Sequence, residues 1–434
     1  MAKDVTLSSA YRFFLPLILM TELNMISKSV INAALARTQD QNITLAAFHV
    51  AFTLYFALSS STEVCSLLTL AYLKTKAALK HLLRFMILIV AVPWLFAQIL
   101  AFTSLGDLAF GGLFGASDAV VAQAKFSIFL LSFSAPILLI RSICFGLILM
   151  HQRNIFISFA TLVRLASLAG SLLVLPKFLD GAPIGAAALV LCMAFETVIA
   201  FIFARPLFQN LPSGNLTNDE APPKVRRQWR FAWPLMLNMS SELGVVTVIS
   251  ICLGFLGNPD LALAAFNVVY SLVSLIVSPM RNLLQTAQTL VKSNSDRRTM
   301  FVFVLHLVGF FGLIGILLFH TPLERFVLVD AMGLKDVLRD YCLPALQMSF
   351  LMAAAWAYSA LFRGLLAGAQ NTTILAISGL SRIAVAALIS GAIFFISDVN
   401  GAVVGIIGWM AGYGIEAIFL VFQLRKMDRK HGTT

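Results

Sequence analysis

Long uncharged apolar runs leave this chain few environments to fold in other than a lipid bilayer. Phe85 to Leu105, Phe301 to Phe319 and Val403 to Phe422 carry few or no charges. Each is close to the roughly 20 residues that a helix needs to cross hydrocarbon. A soluble chain of this length would need a large polar surface, with about 25% charged residues. Here only 12% of the 434 residues are charged and 59% are hydrophobic. A backbone in hydrocarbon must satisfy its own hydrogen bonds. The alternating ten-residue pattern of a barrel strand is not found, so the runs read as helices.

The pattern predicts an all-α membrane protein of about twelve transmembrane helices. They fall over residues 10–36, 43–73, 80–104, 120–150, 154–176, 183–205, 229–256, 260–291, 299–319, 337–368, 371–396 and 400–424. The first segment continues through Glu22, Asn24, Lys28 and Asn32 without a small-residue cleavage site, and it reads as a retained helix. A net charge of +11 suggests nucleic acid or an anionic surface, but its distribution gives a plainer reading. Lys74, Lys76, Lys80, Arg84, Arg153, Arg205, Arg226, Arg230, Lys292, Arg297, Arg298, Arg425 and Lys426 all fall on one side if the helices alternate. That is the positive-inside pattern, and it places both termini in the cytoplasm with no nucleic-acid partner implied. The five cysteines have no paired or metal spacing and read as free thiols acting as small apolar residues.

An internal repeat organises the helices. At an offset of 218 residues, Arg12, Phe13 and Pro16 fall on Arg230, Phe231 and Pro234, and Leu45 to Phe48 fall on Leu263 to Phe266. Gly146 and Arg164 fall on Gly364 and Arg382, while Glu196 falls on Glu416 at an offset of 220. Charged and glycine matches at a nearly constant offset point to duplication. Each half has an even number of helices, so the expectation is two parallel-repeat six-helix lobes, residues 1–208 and 228–434, joined by a cytoplasmic linker at 209–227. Two such lobes facing each other make a central cavity, and rocking gives alternating access.

Ionisable side chains inside the membrane cost at least ~2.5–3.5 kcal/mol on insertion scales, so each needs a partner or water. Arg164 with Glu196, and Arg382 with Glu416, sit at similar depths on consecutive helices of each half. They read as structural ion pairs or as two symmetric charged cavity sites. Glu22, Asn24 and Lys28 on the first helix, with Asn238, Ser241 and Glu242 on the seventh, read as a cavity lining that binds substrate, or as interhelical hydrogen bonding. His49 and Asn267 are repeat mates and join that candidate set, the alternative being a packing histidine. No metal, nucleotide or nucleophile motif is present, so neither an enzyme nor a cofactor is expected.

The repeat architecture resembles the superfamily of multidrug and toxic compound extrusion transporters, polysaccharide-lipid flippases and lipid II flippases. Within it, Arg12-Phe13 with Pro16-Leu17, the Leu45–Leu54 stretch, Val327 to Asp330 leading through Gly333 to Cys342 and Pro344, and Gly401-Ala402 with Gly405, Gly414 and Glu416 resemble the progressive ankylosis protein family, in a bacterial form. This resemblance implies a multidrug-and-toxic-compound-extrusion-like fold and export of small organic or phosphorylated anions such as citrate, pyrophosphate or nucleotides. Lys28, Arg281 and Arg141 would attract the anion. The alternatives are a proton- or sodium-coupled multidrug or cation antiporter using Glu22 or Glu242, a lipid-linked substrate flippase, and a membrane scaffold. The expected setting is a bacterial inner membrane, with a monomer surrounded by lipid and a proton or sodium ion as coupling partner.

Glu63 and Arg281 are repeat mates of opposite charge near the cytoplasmic ends of their helices. They are the candidate gate, the alternative being pairing within each lobe. Reversing both charges together should restore the transport lost in either single reversal, and a double reversal as inactive as the singles would remove the gate.

Overall fold

The computed structural model describes residues 5–151, 153, 155–212, 225–368, 372–392 and 399–431. The Asn24 and Asn238 side chains lie outside the described set, as do residues 213–224, most of the expected linker. In chain order the helices are α1 (Leu7–Leu35), α2 (Gln41–Ser59), α3 (Val64–Tyr72), α4 (Lys76–Phe102), α5 (Ser104–Asp107), α6 (Asp118–Ser132), α7 (Ser134–Met150), α8 (Ile155–Val174) and α9 (Ala182–Gln209). They continue as α10 (Val225–Leu253), α11 (Pro259–Val277), α12 (Leu283–Leu290), α13 (Asn294–Phe319), α14 (Leu323–Arg325), α15 (Asp336–Met348), α16 (Phe350–Gly368), α17 (Thr372–Gly391) and α18 (Gly401–His431). No strand occurs among the described residues.

Among the described residues, ten helical spans are long and apolar enough to cross a membrane. An eleventh forms if Gln228–Pro234 and Met239–Leu253, bent by 41°, are one span. The bend follows Pro234, whose ring removes a backbone donor from the helix. The remaining expected span corresponds to α1, 29 residues long but interrupted by Glu22, Lys28 and Asn32. Along α4, Leu88, Val92, Leu95 and Phe102 recur on one helical face and are more than half exposed, as a lipid-facing stripe requires.

The repeat is written into local structure as well as sequence. Thr75 caps α4 by accepting from Ala78 N, and Ser293, 218 residues on, caps α13 by accepting from Asp296 N. A 3-10 turn begins at Ser60 and another at Ser278. A π-helical turn spans Leu108–Leu113 and another Phe326–Ala331. After each π turn the chain reverses through a glycine in the left-handed region, Gly115 (φ 60°) and Gly333 (φ 74°), where a Cβ would be strained. The expected spans 120–150 and 337–368 are each broken near the same place, at Phe133 and at Ser349.

Compactness divides the chain differently from the repeat. One unit comprises Met1–Asn42 with Val248–Thr434 (unit 1), and the other is Ile43–Thr247 (unit 2). Helix α1 is therefore grouped with the second-half helices, and most of α10 with the first-half helices. The reason is specific bonding. In unit 1, Asp296 accepts from Val5 N at 2.8 Å at one end of α1. At the other end, Arg37 donates to Ala331 O at 2.7 Å and Gln41 to Gly333 O at 3.0 Å. In unit 2, α10 is held by edge-to-face contacts of Phe231 with Tyr72 and Trp229 with Phe85, and by a hydrogen bond from Ser60 to Ser240.

The core of unit 2 packs Leu68 of α3, Phe85, Met86 and Ile89 of α4, Cys144 and Leu147 of α7, Ala200 and Ala204 of α9 and Ala232 of α10. Two repeat-mate glycines, Gly146 and Gly364, mark close helix crossings, one in each unit. A Cβ at Gly146 would lie 2.7 Å from Thr69 Cγ2, and one at Gly364 would lie 2.5 Å from the Leu284 carbonyl oxygen. A side-chain methyl yields more readily than backbone. Gly364→Ala should therefore lower the thermal midpoint of the purified protein more than Gly146→Ala, within the ~1–3 kcal/mol typical of overpacking. Gly170→Ala meets nothing within 4 Å and should leave the midpoint unchanged or raise it. Equal effects at Gly146 and Gly170 would contradict the close crossing of α3 and α7.

Candidate functional site

Unit 1 contains a polar seam between α1 and the α11 segment. On α11 and the 3-10 turn after it, Asn267, Tyr270, Ser274 and Ser278 recur at three- and four-residue spacing and so share one helical face. Opposite them on α1, Glu22 Oε1 accepts from Ser278 Oγ at 2.6 Å, and Asn32 Oδ1 accepts from Asn267 Nδ2 at 3.1 Å. Between these, Lys28 Nζ lies 4.1 Å from the centroid of the Tyr270 ring. The seam spans about 15 Å of helix, at 1.5 Å per residue. Glu22 is half-buried and Asn32 and Asn267 are buried, in a segment where few other groups could satisfy them. Of the residues singled out from sequence, Glu22, Lys28 and Asn267 are thus brought together.

Behind Tyr270 lies a feature that sequence reasoning missed. Tyr270 packs on Trp409 (4.9 Å between ring centroids), Trp409 on Trp356 (5.8 Å) and Trp356 on Tyr413 (5.1 Å). Three cations border this aromatic group: Lys28 over Tyr270, Arg281 with Cζ 5.9 Å from the Trp356 ring, and Arg382 with Cζ 4.5 Å from the Tyr413 ring. Cation–π attraction strengthens with desolvation, so buried rings are suited to holding cations at mid-span. Trp409 and Tyr413 are one helical turn apart on α18, and that spacing was the available signal.

Each unit also encloses an ionic cluster. In unit 1, Glu416 Oε2 lies 3.4 Å from Arg382 Nη1, and both side chains are fully buried. Glu416 also accepts from Ser359 at 2.6 Å and from Ser378 at 2.9 Å. In unit 2, Glu196 Oε2 lies 2.9 Å from Arg141 Nη1 and 3.6 Å from Arg164 Nη1, and its other oxygen accepts from Thr161 at 3.2 Å. Arg164 was paired with Glu196 from sequence, but Arg141 is the nearer cation.

Elsewhere in unit 2, the buried His49 ring places Nδ1 3.4 Å from Thr53 Oγ1. Ser241 is buried and Glu242 half-buried on α10. Glu63 is exposed at the end of its 3-10 turn in unit 2, and Arg281 is exposed in the equivalent turn of unit 1. Among the described residues no group of His, Cys, Asp and Glu is arranged to hold a metal ion. The five cysteines are buried thiols.

No family model and no curated protein matches the sequence. Solved structures match its fold over nearly the whole chain. An inward-facing multidrug resistance MATE family transporter of the MOP superfamily aligns with a TM-score of 0.67 and 14% identity, covering 95% of this chain and 96% of the other. An outward-facing transporter of the same description aligns at 0.58 and 14%, covering 99% and 98%. A MOP superfamily transporter from Pyrococcus furiosus, described as having a binding pocket of reversed polarity that suggests a different function, aligns at 0.61 and 15%, covering 97% and 96%. The chain thus has the all-helical, two-lobed fold of these transporters and is a multi-pass membrane protein.

The ionic clusters make a stability prediction. Removing one partner of a buried pair leaves an uncompensated charge and costs about 3–5 kcal/mol, whereas replacing both by apolar residues is often neutral. Glu416→Gln should therefore sharply lower the thermal midpoint, and Arg382→Met with Glu416→Leu should recover most of the loss. A double variant as unstable as the single would show that the cluster contributes more than mutual neutralisation.

Proposed function

We propose that this protein is an alternating-access carrier that exports small organic or phosphorylated anions, of the citrate, pyrophosphate or nucleotide-like class. The observation that carries this reading is the pair of cations, Lys28 and Arg281, on the aromatic group of unit 1, with Lys28 on the same helix as Asn32, which bonds to Asn267. Ammonium and guanidinium groups give an anion charge-assisted hydrogen bonds, and a low dielectric strengthens them. The inward- and outward-facing forms of fold neighbours support alternating access, and the resemblance to the progressive ankylosis family supports the anion class. In this reading Lys28 and Asn267 contact substrate in unit 1. The protein acts as a carrier, not an enzyme, in a bacterial inner membrane, as a monomer with cytoplasmic termini.

Glu22 supports a second reading. A half-buried carboxylate bonded to a serine is a natural seat for a proton or sodium ion. In the anion carrier it serves coupling; in the second reading it serves exchange of a cationic drug for that ion.

Proteoliposome uptake of citrate, pyrophosphate and a cationic dye, with and without a pH gradient, separates the two. The expected result is accumulation of an anion, reduced by ~10-fold or more in Lys28→Gln through loss of one charge-assisted contact. Accumulation of the dye alone would favour the cation antiporter, and no accumulation of any probe would remove the carrier reading.

A further inference from the structure

The two halves of the repeat treat an equivalent buried carboxylate differently. In unit 1, Glu416 meets one guanidinium, Arg382, and two hydroxyls, Ser359 and Ser378. In unit 2, Glu196 meets one hydroxyl, Thr161, and two guanidiniums, Arg141 and Arg164, both directed at Oε2. Arg141 and Ser359 are repeat mates, 218 residues apart, and they account for the added charge. Unit 1 shows that one arginine and hydroxyls are enough to settle this carboxylate at the same position. The second arginine of unit 2 adds a positive charge to a mid-membrane cluster, where each charge is costly.

Arg141 is also placed differently. Its side chain is 17% exposed, against 11% for Arg164 and none for Arg382. Its guanidinium lies 5.6 Å from the Phe145 ring, and Glu196 engages it through Nη1. A guanidinium is a planar fork of five N–H donors, matched to two oxygens of a carboxylate or phosphate.

We propose that Arg141 is an anion subsite of unit 2, taking a carboxylate or phosphate group of the transported anion in a bidentate grip. This rests on the anion-carrier reading above and adds to it a residue and a consequence. Glu196 Oε2 already lies 3.6 Å from Arg164 Nη1, so a small rotation lets the carboxylate settle on Arg164 as the anion takes Arg141. Neither charge is then left alone in the membrane: Glu196 keeps one arginine and the anion gains the other. Unit 1, with Ser359 at the equivalent position, has no matching grip.

The test is calorimetric binding of pyrophosphate and of citrate to the full chain in lipid nanodiscs. Arg141→Ser copies the arrangement of unit 1 and should weaken pyrophosphate by ~10–100-fold, the value of hydrogen bonds to charged groups. Arg141→Lys, which keeps the charge without the fork, should fall between. Wild-type protein that binds pyrophosphate or citrate, with unchanged affinity in Arg141→Ser, overturns the subsite and leaves the anion carrier standing. Wild-type protein that binds neither anion overturns both. An independent measurement uses the wild-type chain alone, so that folding of the variant is not at issue. Labelling by phenylglyoxal, mapped by peptide mass, should be slowed at Arg141 by pyrophosphate, and equal labelling with and without pyrophosphate overturns the subsite.

Discussion

Every polar side chain at mid-span in this protein has to be reconciled with hydrocarbon, and the pairing of Glu196 and Glu416 with arginine is where that demand is most severe. Two carboxylates and three guanidiniums sit in long apolar helices, with Glu416 and Arg382 fully buried. Bringing them together fixes which helices are neighbours. Glu196 ties α9 to α7 and α8, and Glu416 ties α18 to α16 and α17. Close packing follows from the same crossings. The glycines at 146 and 364 let α7 and α16 approach α3 and α12 within distances that a methyl would violate.

The polar seam of unit 1 extends this logic to the element that groups away from its own half. Helix α1 carries too many polar residues to face lipid on all sides, and it finds complements on α11 and the 3-10 turn after it for Glu22, Lys28 and Asn32. The equivalent contact in unit 2 is made between hydroxyls, Ser60 and Ser240, which occupy the repeat positions of Ser278 and Glu22. The duplication thus conserved the contact while the chemistry diverged. The ionisable members of the contact lie in unit 1, and the additional arginine lies in unit 2. In the carrier proposed above, such differences would let each half handle a different part of substrate binding and coupling.

Much of the fold was legible because hydrophobic run length and a 218-residue offset are properties of sequence alone. The offset reappears in the caps at Thr75 and Ser293, in the two π turns and in the left-handed glycines. What sequence could not show was which helices touch when they are not consecutive. Arg164 and Glu196 lie on consecutive helices, so their proximity was a natural inference, whereas Arg141 lies one helix earlier and its repeat mate is an uncharged serine. The aromatic group of Tyr270, Trp356, Trp409 and Tyr413 comes from three separate helices, and its assembly is a property of packing. The exchange of α1 and α10 between compact units depends on loop contacts such as Arg37 with Ala331, which have no periodic signature.

The central claim is that a mid-membrane site with basic side chains carries anions by exposing them to one side at a time. Counterflow tests it most directly: uptake of labelled pyrophosphate into proteoliposomes preloaded with unlabelled pyrophosphate, against empty ones. A carrier that reorients faster when loaded should show accelerated uptake and a transient overshoot of label. Pyrophosphate entry at one rate, with or without internal pyrophosphate and with no overshoot, would contradict the account.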